Sequence, residues 1–183
     1  MNLSEKVRVY INYYPGADRL NPKLHDIILQ KAQSHNFGAV MTAWNEGNFI
    51  KEFKFIGDYV LKIIEGFNSD IHLRSPWKLI LRDLWCQYYR KGDYQKSHYH
   101  LPYHWSFVYY VNAPKGSAPL VFTNSNKKII PKPGMILLFP SWLWHHVPRH
   151  NCEEIRSLIA GNLMYVDDSK KYDKLDYSKM TPL

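Results

Sequence analysis

The sequence predicts an α+β protein in which helices occupy the front of the chain and an antiparallel β structure occupies most of the rest. Two amphipathic helical patterns lie before residue 70, and several short β-prone runs lie between residues 77 and 166. The β-prone runs are closely spaced and no helical pattern separates them, so they should pair antiparallel and close into a sandwich or barrel. A parallel sheet is disfavoured, because it needs a crossover between consecutive strands.

The first helical pattern lies in LNPKLHDIILQKAQSH, where we expect Asn21 as the N-cap and Pro22 as the first helical residue. Its apolar positions are Leu24, Ile27, Ile28 and Ala32. The second pattern, NFIKEFKFIGDYVLKIIEGF, repeats apolar residues about every 3.6 positions and has Gly66 near its end. Its apolar positions are Phe49, Phe53, Ile56, Val60, Ile63, Ile64 and Phe67. Both segments are therefore predicted to be helices with one buried face.

The β-prone runs are WKLILRDLWCQYYR, HWSFVYYVN, PLVFTN, MILLFPSW and RSLIAGNLMYV. Proline, glycine, asparagine and serine separate them, as expected of turns. A chain of 183 residues is of ordinary length for one domain. We therefore expect a single domain over 1–183, with a mainly helical front part at 1–70, a β core at 77–166 and a C-terminal tail at 167–183.

Composition and charge narrow the class of protein. With 45% hydrophobic and 22% charged residues the chain should fold as a globular protein. It has no apolar run long enough for a membrane span and no signal-peptide pattern, which favours a cytoplasmic location. Cys86 and Cys152 are too isolated to indicate a disulfide framework or a thiolate zinc site. The net charge of +8 is spread along the sequence, which disfavours a nucleic-acid partner.

Histidines are concentrated around two of the β-prone runs. His98 and His100, in KSHYHLPYHWSFVYY, should project to the same side of an extended strand and could share one metal ion. His145 and His146 follow the apolar run in PKPGMILLFPSWLWHH, and only one of these two neighbours can face the same interior. Neutral imidazole binds divalent iron, zinc, copper and nickel, and three ligands leave positions open for chemistry.

Arg156, in EEIRSLIAGN, shares a strand face with Leu158, Ala160 and Asn162. A guanidinium on such a mainly apolar face needs an anionic partner to offset its lost hydration. Its planar fork can bind a carboxylate through two hydrogen bonds, so a small dicarboxylate would suit it. The alternative is a structural ion pair with an aspartate or glutamate of the chain.

The motifs HYH, SFVYYV, PKPGMILLFPSWLWH and RSLIAGN resemble the bacterial and phage branch of the 2-oxoglutarate and Fe(II)-dependent oxygenases, related to prolyl 4-hydroxylases. The resemblance covers about residues 85–166. It implies a double-stranded β-helix, a jelly-roll or cupin-like fold, with the N-terminal helices packed on the sheet. It also implies that His98, His100 and His145 hold the metal and that Arg156 binds the distal carboxylate of 2-oxoglutarate. The superfamily pattern is His-x-Asp or His-x-Glu, so His100 replaces a carboxylate and leaves the site more positive by one charge.

The activity implied by the resemblance is a dioxygenase reaction that uses Fe(II), 2-oxoglutarate and O2. The enzyme would hydroxylate a protein, peptide or small-molecule substrate and release succinate and CO2. Tyr94, Tyr110 and Asn162 are candidates for further contacts with 2-oxoglutarate, and His104 is a reserve metal ligand. The sequence does not identify the primary substrate.

Two other functions remain open from the sequence. The all-histidine ligand set would also suit a cupin-like metalloenzyme that does not use 2-oxoglutarate. The positive charge and the many aromatic residues would suit a basic nucleic-acid-binding module.

Overall fold

The structure of the protein is a computed structural model, and it describes residues 7–68 and 77–167. The two helices are α1, Ala17–Lys31, and α2, Lys51–Asn68, and a short 3-10 helix at Glu46–Phe49 precedes α2. The strands in this part of the chain are β1 (Tyr10–Tyr13), β2 (Ser34–Asn36), β3 (Ala39–Met41), β4 (Trp77–Tyr89), β5 (Gln95–His98), β6 (Trp105–Asn112), β7 (Leu120–Phe122), β8 (Lys127–Ile129), β9 (Met135–Pro140), β10 (His145–Val147) and β11 (Arg156–Asp167).

The strands form two antiparallel sheets. The larger sheet has the order β1-β9-β6-β11-β4-β3-β2, and the smaller sheet has the order β5-β10-β7-β8. Each described strand pair is antiparallel. Two facing antiparallel sheets with two helices confirm the predicted α+β class and the double-stranded β-helix.

The larger sheet separates two hydrophobic clusters because its strands alternate their side chains between two faces. On one face, Ile159 and neighbouring strand residues pack against the helices through Leu24 of α1 and Phe53 of α2. On the other face, Leu158 and Ala160 point toward the smaller sheet. The helices are therefore packed on the sheet, as predicted, and the second face is left to form a cavity between the sheets.

The central pairing of β4 with β11 fixes the residues that face this cavity. Arg156 lies opposite Tyr89, and the register shifts at a bulge between Asn162 and Leu163. Gly161 allows a close approach of neighbouring elements, since an added Cβ would lie 2.6 Å from the Phe107 ring. Residues 83–86 of β4 and 156–163 of β11 are buried, which gives the cavity a rigid floor.

The start of the first helix differs from the prediction. Helix α1 begins at Ala17, so Asn21 is not its N-cap and Pro22 lies inside it. Asn21 is buried instead, where its Nδ2 donates to the Val111 carbonyl at 2.8 Å and its Oδ1 accepts from the Tyr109 hydroxyl. Contacts with β6 therefore outweigh the local preference of Asn-Pro for a helix start.

The second helix also starts later than its apolar pattern suggested. Phe49 lies in the 3-10 helix and is 86% exposed, whereas Phe53, Ile56, Val60 and Ile64 are buried. The side chain of Phe67 lies outside the described residues. The helical period was therefore predicted correctly, but its first member does not belong to the buried face.

The front part of the chain contains three short strands that were not predicted. β1 precedes α1 and pairs with β9 at one edge of the larger sheet, and β2 and β3 extend the other edge. Strands of three or four residues are too short to show a clear period. Both cysteines are free, and none of the described helices is long and apolar enough to cross a membrane.

Candidate metal centre

Two strands of the smaller sheet and the turn after one of them bring three imidazoles together. His98 in β5 lies directly opposite His145 in β10. His100 follows the end of β5, and its backbone N–H donates to the Ser141 carbonyl at 2.7 Å. One ring nitrogen from each histidine lies within 4.8 Å of the other two. The three side chains can therefore reach one ion, although His100 lies on a turn and not on the strand that we expected.

Backbone carbonyls orient two of the three imidazoles. His98 Nδ1 lies 2.8 Å from the Lys96 carbonyl oxygen, and His145 Nδ1 lies 2.8 Å from the Leu143 carbonyl oxygen. A carbonyl oxygen only accepts, so in both residues Nδ1 carries the proton and Nε2 keeps its lone pair. Fixing the tautomer in this way is the usual means of orienting a metal-binding histidine.

Aromatic rings hold the third imidazole. The His100 ring lies 6.0 Å from Trp44 and 5.8 Å from Trp85, measured between ring centroids, and the residue is buried. Its Nδ1 has no hydrogen-bond partner in the described chain. An unpartnered buried nitrogen costs stability, so a group that binds His100 would stabilise the fold.

Burial favours the uncharged form of all three imidazoles. Burial lowers the pKa of His98 and, together with the neighbouring histidines, holds the pKa of His100 well below its usual range. Burial, followed by the charge of His98, lowers the pKa of His145 to about 3. Neutral imidazole is the form that binds metal ions, so the cluster is ready to accept one.

The other nearby histidines lie elsewhere. His146 points to the opposite face of β10, where its Nδ1 lies 3.1 Å from Thr123 Oγ1. His104 Nδ1 accepts the backbone N–H of Tyr165 at 3.3 Å. The pair His145 and His146 is thus divided between the two faces, and the reserve ligand His104 is not brought to the cluster.

Arg156 is fully buried, and no carboxylate of the described residues pairs with it. Its guanidinium carbon lies 4.6 Å from the centre of the Tyr89 ring and 5.2 Å from that of Tyr110. Within the described residues, Nε and both Nη atoms lack a hydrogen-bond partner. The alternative of a structural ion pair is therefore not what the structure contains. Two tyrosine rings hold the guanidinium in place and leave its hydrogen-bond donors free.

The two tyrosines beside Arg156 are neutral hydroxyl donors. Burial raises the pKa of Tyr89 to about 12 and also raises the pKa of Tyr110, and in both cases Arg156 opposes the shift. The Tyr89 hydroxyl accepts from Gln87 Nε2 at 2.8 Å. The Tyr110 hydroxyl is buried without a partner in the described chain. Tyr110 thus offers a second free donor next to the guanidinium.

A cavity of about 480 Å³ connects the imidazoles with the guanidinium. Its lining residues include His98, His100, His145 and Arg156, with apolar walls from both sheets. Such a volume is typical of a small-molecule site, and the apolar walls limit access of water. The three imidazoles and the guanidinium of Arg156 therefore share one cavity.

Tyr94 and Asn162, two of the predicted contacts with 2-oxoglutarate, do not line this cavity. Tyr94 lies under the Arg149 guanidinium, at 5.0 Å, and lines a separate hollow. Asn162 lies behind the wall, where its Oδ1 accepts from Ser106 Oγ at 2.8 Å. Ser106 itself lines the cavity.

Several cavity residues were not singled out from the sequence. Trp44 lies in an irregular segment and carries no pattern that could have indicated it. Trp85 could have been found, since it shares a strand face with Tyr89, four positions later on β4. Trp142 and Trp144, which follow the apolar run of β9, do not line the cavity. Trp142 is exposed, and Trp144 packs on Tyr99 at 4.6 Å between ring centroids.

Comparison with known proteins agrees with this geometry. The sequence profile of a family described as "Putative 2OG-Fe(II) oxygenase" matches residues 123–162, a segment that contains His145 and Arg156. None of the curated proteins compared with the chain matches it.

Solved structures share the fold at low sequence identity. The viral collagen prolyl hydroxylase from Paramecium bursaria Chlorella virus-1, in its 2OG complex, is 19% identical with a TM-score of 0.62, over 84% of this chain and 94% of that chain. A prolyl-4-hydroxylase from Pseudomonas putida is 15% identical with a TM-score of 0.62, over 86% and 92%. HygX from Streptomyces hygroscopicus, with nickel and 2-oxoglutarate bound, is 11% identical with a TM-score of 0.60, over 86% and 83%.

The fold is a jelly roll whose cavity contains three imidazoles and a buried guanidinium. The solved prolyl hydroxylases share this fold, and the profile match to a 2OG-Fe(II) oxygenase family covers the segment that contains His145 and Arg156.

Proposed function

We propose that the protein is an Fe(II) and 2-oxoglutarate-dependent hydroxylase whose metal ligands are His98, His100 and His145. The observation that carries the proposal is the buried guanidinium of Arg156, which finds no hydrogen-bond partner among residues 7–68 and 77–167 and faces the same cavity as the three imidazoles. A buried cation without a partner is strongly unfavourable, so its counterion belongs to a bound molecule. A dicarboxylate can neutralise Arg156 with one end and reach the metal with the other.

The residues present suit both groups. Three neutral imidazoles suit divalent iron, although the usual third ligand in such oxygenases is a carboxylate. Arg156 would bind the distal carboxylate through its planar fork, and the Tyr110 hydroxyl would donate a further hydrogen bond. Tyr94 and Asn162, which we had predicted as contacts, are left out of this arrangement because, unlike Tyr110, they do not lie against the Arg156 guanidinium.

When bound, Fe(II) with 2-oxoglutarate and O2 would supply the oxidising chemistry that is typical of 2OG-Fe(II) oxygenases. The chain itself performs the binding and the orientation. The carbonyls of Lys96 and Leu143 hold His98 and His145 with Nε2 toward the cavity. Tyr89 and Tyr110 hold Arg156 at a fixed depth, and the apolar walls exclude water from the reacting groups. The primary substrate would be a protein, a peptide or a small molecule.

An anaerobic titration tests the proposal. Purified protein with one equivalent of Fe(II) should develop a metal-to-ligand charge-transfer band when 2-oxoglutarate is added, and admission of air should yield succinate. Arg156→Met should lose the band at 2-oxoglutarate concentrations that saturate the unsubstituted protein. Absence of both the band and succinate, from protein that binds iron, would rule the proposal out.

The three-imidazole ligand set also supports a second candidate, a cupin-like metalloenzyme that does not use 2-oxoglutarate. The Arg156→Met variant separates the two functions, because such an enzyme would keep its metal-dependent activity when the guanidinium is removed.

A further inference from the structure

The outer face of the smaller sheet carries a shallow groove made of two hollows. The hollows have volumes of about 450 and 530 Å³, and both are lined by His146, Pro148 and Arg149. Lys128 lines the first hollow and Lys96 lines the second. We call these five residues and the surface between them the outer groove.

The outer groove collects positive charge that is scattered in the sequence. Lys96, Lys128 and Arg149 come from separate segments of the chain, and no aspartate or glutamate lines either hollow among the described residues. Nearby carboxylates are occupied, since Glu153 pairs with Lys91 and Asp93 lies 3.7 Å from Arg90. A cluster of unneutralised cations attracts an anionic partner.

Neutral donors accompany the cations. In the second hollow the hydroxyls of Ser97 and Thr123 lie 2.7 Å apart. Arg149 is held in place by a hydrogen bond from Nη1 to the Gly92 carbonyl at 3.0 Å. The groove therefore offers several positioned donors to carboxylate or phosphate oxygens.

The outer groove adjoins the metal cavity. Gln95 and Val147 line both the second hollow and the cavity. The adjacent residues His145 and His146 also join the two spaces, because His145 lines the cavity and His146 lines the groove. A molecule that lies in the groove thus reaches the edge of the cavity.

The groove also suits an extended polypeptide, because an edge strand forms one of its sides. Strand β5 contributes Gln95, Lys96 and Ser97 to the second hollow and is an edge strand of the smaller sheet. An edge strand can pair through its backbone with an extended peptide. Single-stranded nucleic acid needs open aromatic faces for its bases, and the one aromatic ring that lines the described groove besides His146, Tyr94, lies under Arg149.

We propose that the outer groove binds an acidic segment of a polypeptide substrate, next to the residue that enters the metal cavity. This inference rests on the proposed hydroxylase function and narrows its substrate to proteins or peptides with aspartate or glutamate beside the modified residue. The cations would set the direction of the substrate chain, and β5 would fix its position.

Fluorescence anisotropy with labelled hexaglutamate tests the inference. The unsubstituted protein should bind this probe, and binding should weaken as salt is raised. Lys96→Glu combined with Lys128→Glu should lower the affinity by about tenfold or more, since both attractive charges become repulsive. Lys62→Glu combined with Lys132→Glu is the matched control, because both lysines are exposed and neither lines the groove. The control should change the affinity by less than about twofold. If the double charge reversal does not fold, Lys96→Gln with Lys128→Gln replaces it.

The location is tested by paramagnetic broadening. Hexaglutamate resonances should broaden more on protein loaded with Co(II) than on protein loaded with Zn(II), because the groove adjoins the cavity. No binding of hexaglutamate, an equal loss in the control, or no difference between the two metals would overturn the inference. Tighter binding of an oligothymidine probe would also overturn it and assign the groove to nucleic acid. Anisotropy with metal-free protein needs neither iron nor 2-oxoglutarate, so failure of the proposed hydroxylase function is distinguishable from failure of this inference.

Discussion

The two sides of the metal cavity are built in different ways. Arg156 lies on a strand of 12 residues that pairs with one of 13 residues at the centre of the larger sheet. The imidazoles lie on strands of 4 and 3 residues and on a turn of the smaller sheet. The side of the cavity that holds Arg156 is therefore part of the hydrophobic core, whereas the side that holds the imidazoles depends on a few backbone hydrogen bonds.

This difference separates what each side contributes. On the larger sheet, the buried guanidinium of Arg156 lowers the free energy of unfolding of the ligand-free protein. On the other side, an ion bound by His98, His100 and His145 would cross-link β5, the following turn and β10. Metal should therefore stabilise the smaller sheet, and a dicarboxylate should relieve the buried charge of the larger one.

The largest effect is expected at His145. His145→Ala removes one of three metal ligands and should lower Fe(II) affinity by about 1000-fold, because each ligand of a protein metal site carries several kcal/mol of binding. His146→Ala is the matched control, since the neighbouring ring faces the outer groove. Anaerobic metal titration with a competing chelator measures both. Equal losses in the two variants would contradict the assignment of His145 to the metal.

Arg156→Met tests the other side of the cavity. We expect 2-oxoglutarate affinity to fall by about 100-fold, because the charge-assisted hydrogen bonds to its carboxylate are lost. The melting temperature of the ligand-free variant should stay equal or rise, since an unpaired buried charge is replaced by an apolar side chain. Titration calorimetry and thermal unfolding measure the two effects, with exposed Arg19→Met as the control. A destabilised variant that still binds 2-oxoglutarate would contradict the role of Arg156.

Ser106→Ala should have a moderate effect on folding. Ser106 Oγ donates to Asn162 Oδ1 and lies 2.8 Å from Ser141 Oγ, and all three residues are buried. Leaving these groups unpaired should cost about 1–2 kcal/mol in the free energy of unfolding. Ser97→Ala removes the exposed hydrogen bond between Ser97 and Thr123 on the outer face, and the free energy of unfolding should fall by less than about 0.5 kcal/mol. Urea unfolding compares the two, and a larger loss for Ser97→Ala would reverse the ranking of the two regions.

The smallest effect is expected for His100→Asp. An aspartate at this position keeps three metal ligands and adds one negative charge, so Fe(II) affinity should stay within about tenfold of the unsubstituted protein. Packing of the imidazole beside Trp44 and Trp85 is lost, which offsets part of the electrostatic gain. His100→Ala should bind iron far more weakly. If both variants bind iron equally well, His100 is not a ligand.

The accuracy of the sequence-based interpretation differed between the two halves of the chain. The strands β4, β6, β9 and β11 were predictable because long apolar runs bounded by turn residues leave few alternatives. β1, β2 and β3 were not, since they are short and β1 and β3 are held by pairing with the distant strands β9 and β4. The start of α1 was wrong for the same reason, because Asn21 is held by β6 and does not cap the helix.

The candidate site shows a similar division. Strand alternation predicted the separation of His145 from His146 and the direction of Arg156 into an apolar interior. It could not place Tyr94, whose ring is drawn to Arg149, nor find Trp44, which reaches His100 from an irregular segment. The convergence of Lys96, Lys128 and Arg149 was equally hidden, because the three cations are brought together by strand pairing alone.

A crystal structure of the protein prepared anaerobically with Fe(II) and 2-oxoglutarate tests the central claim most directly. We expect Nε2 of His98 and of His145, with one ring nitrogen of His100, to coordinate a single iron, and the distal carboxylate of 2-oxoglutarate to lie on Arg156. Iron held by other side chains, or 2-oxoglutarate bound with its distal carboxylate away from Arg156, would contradict it.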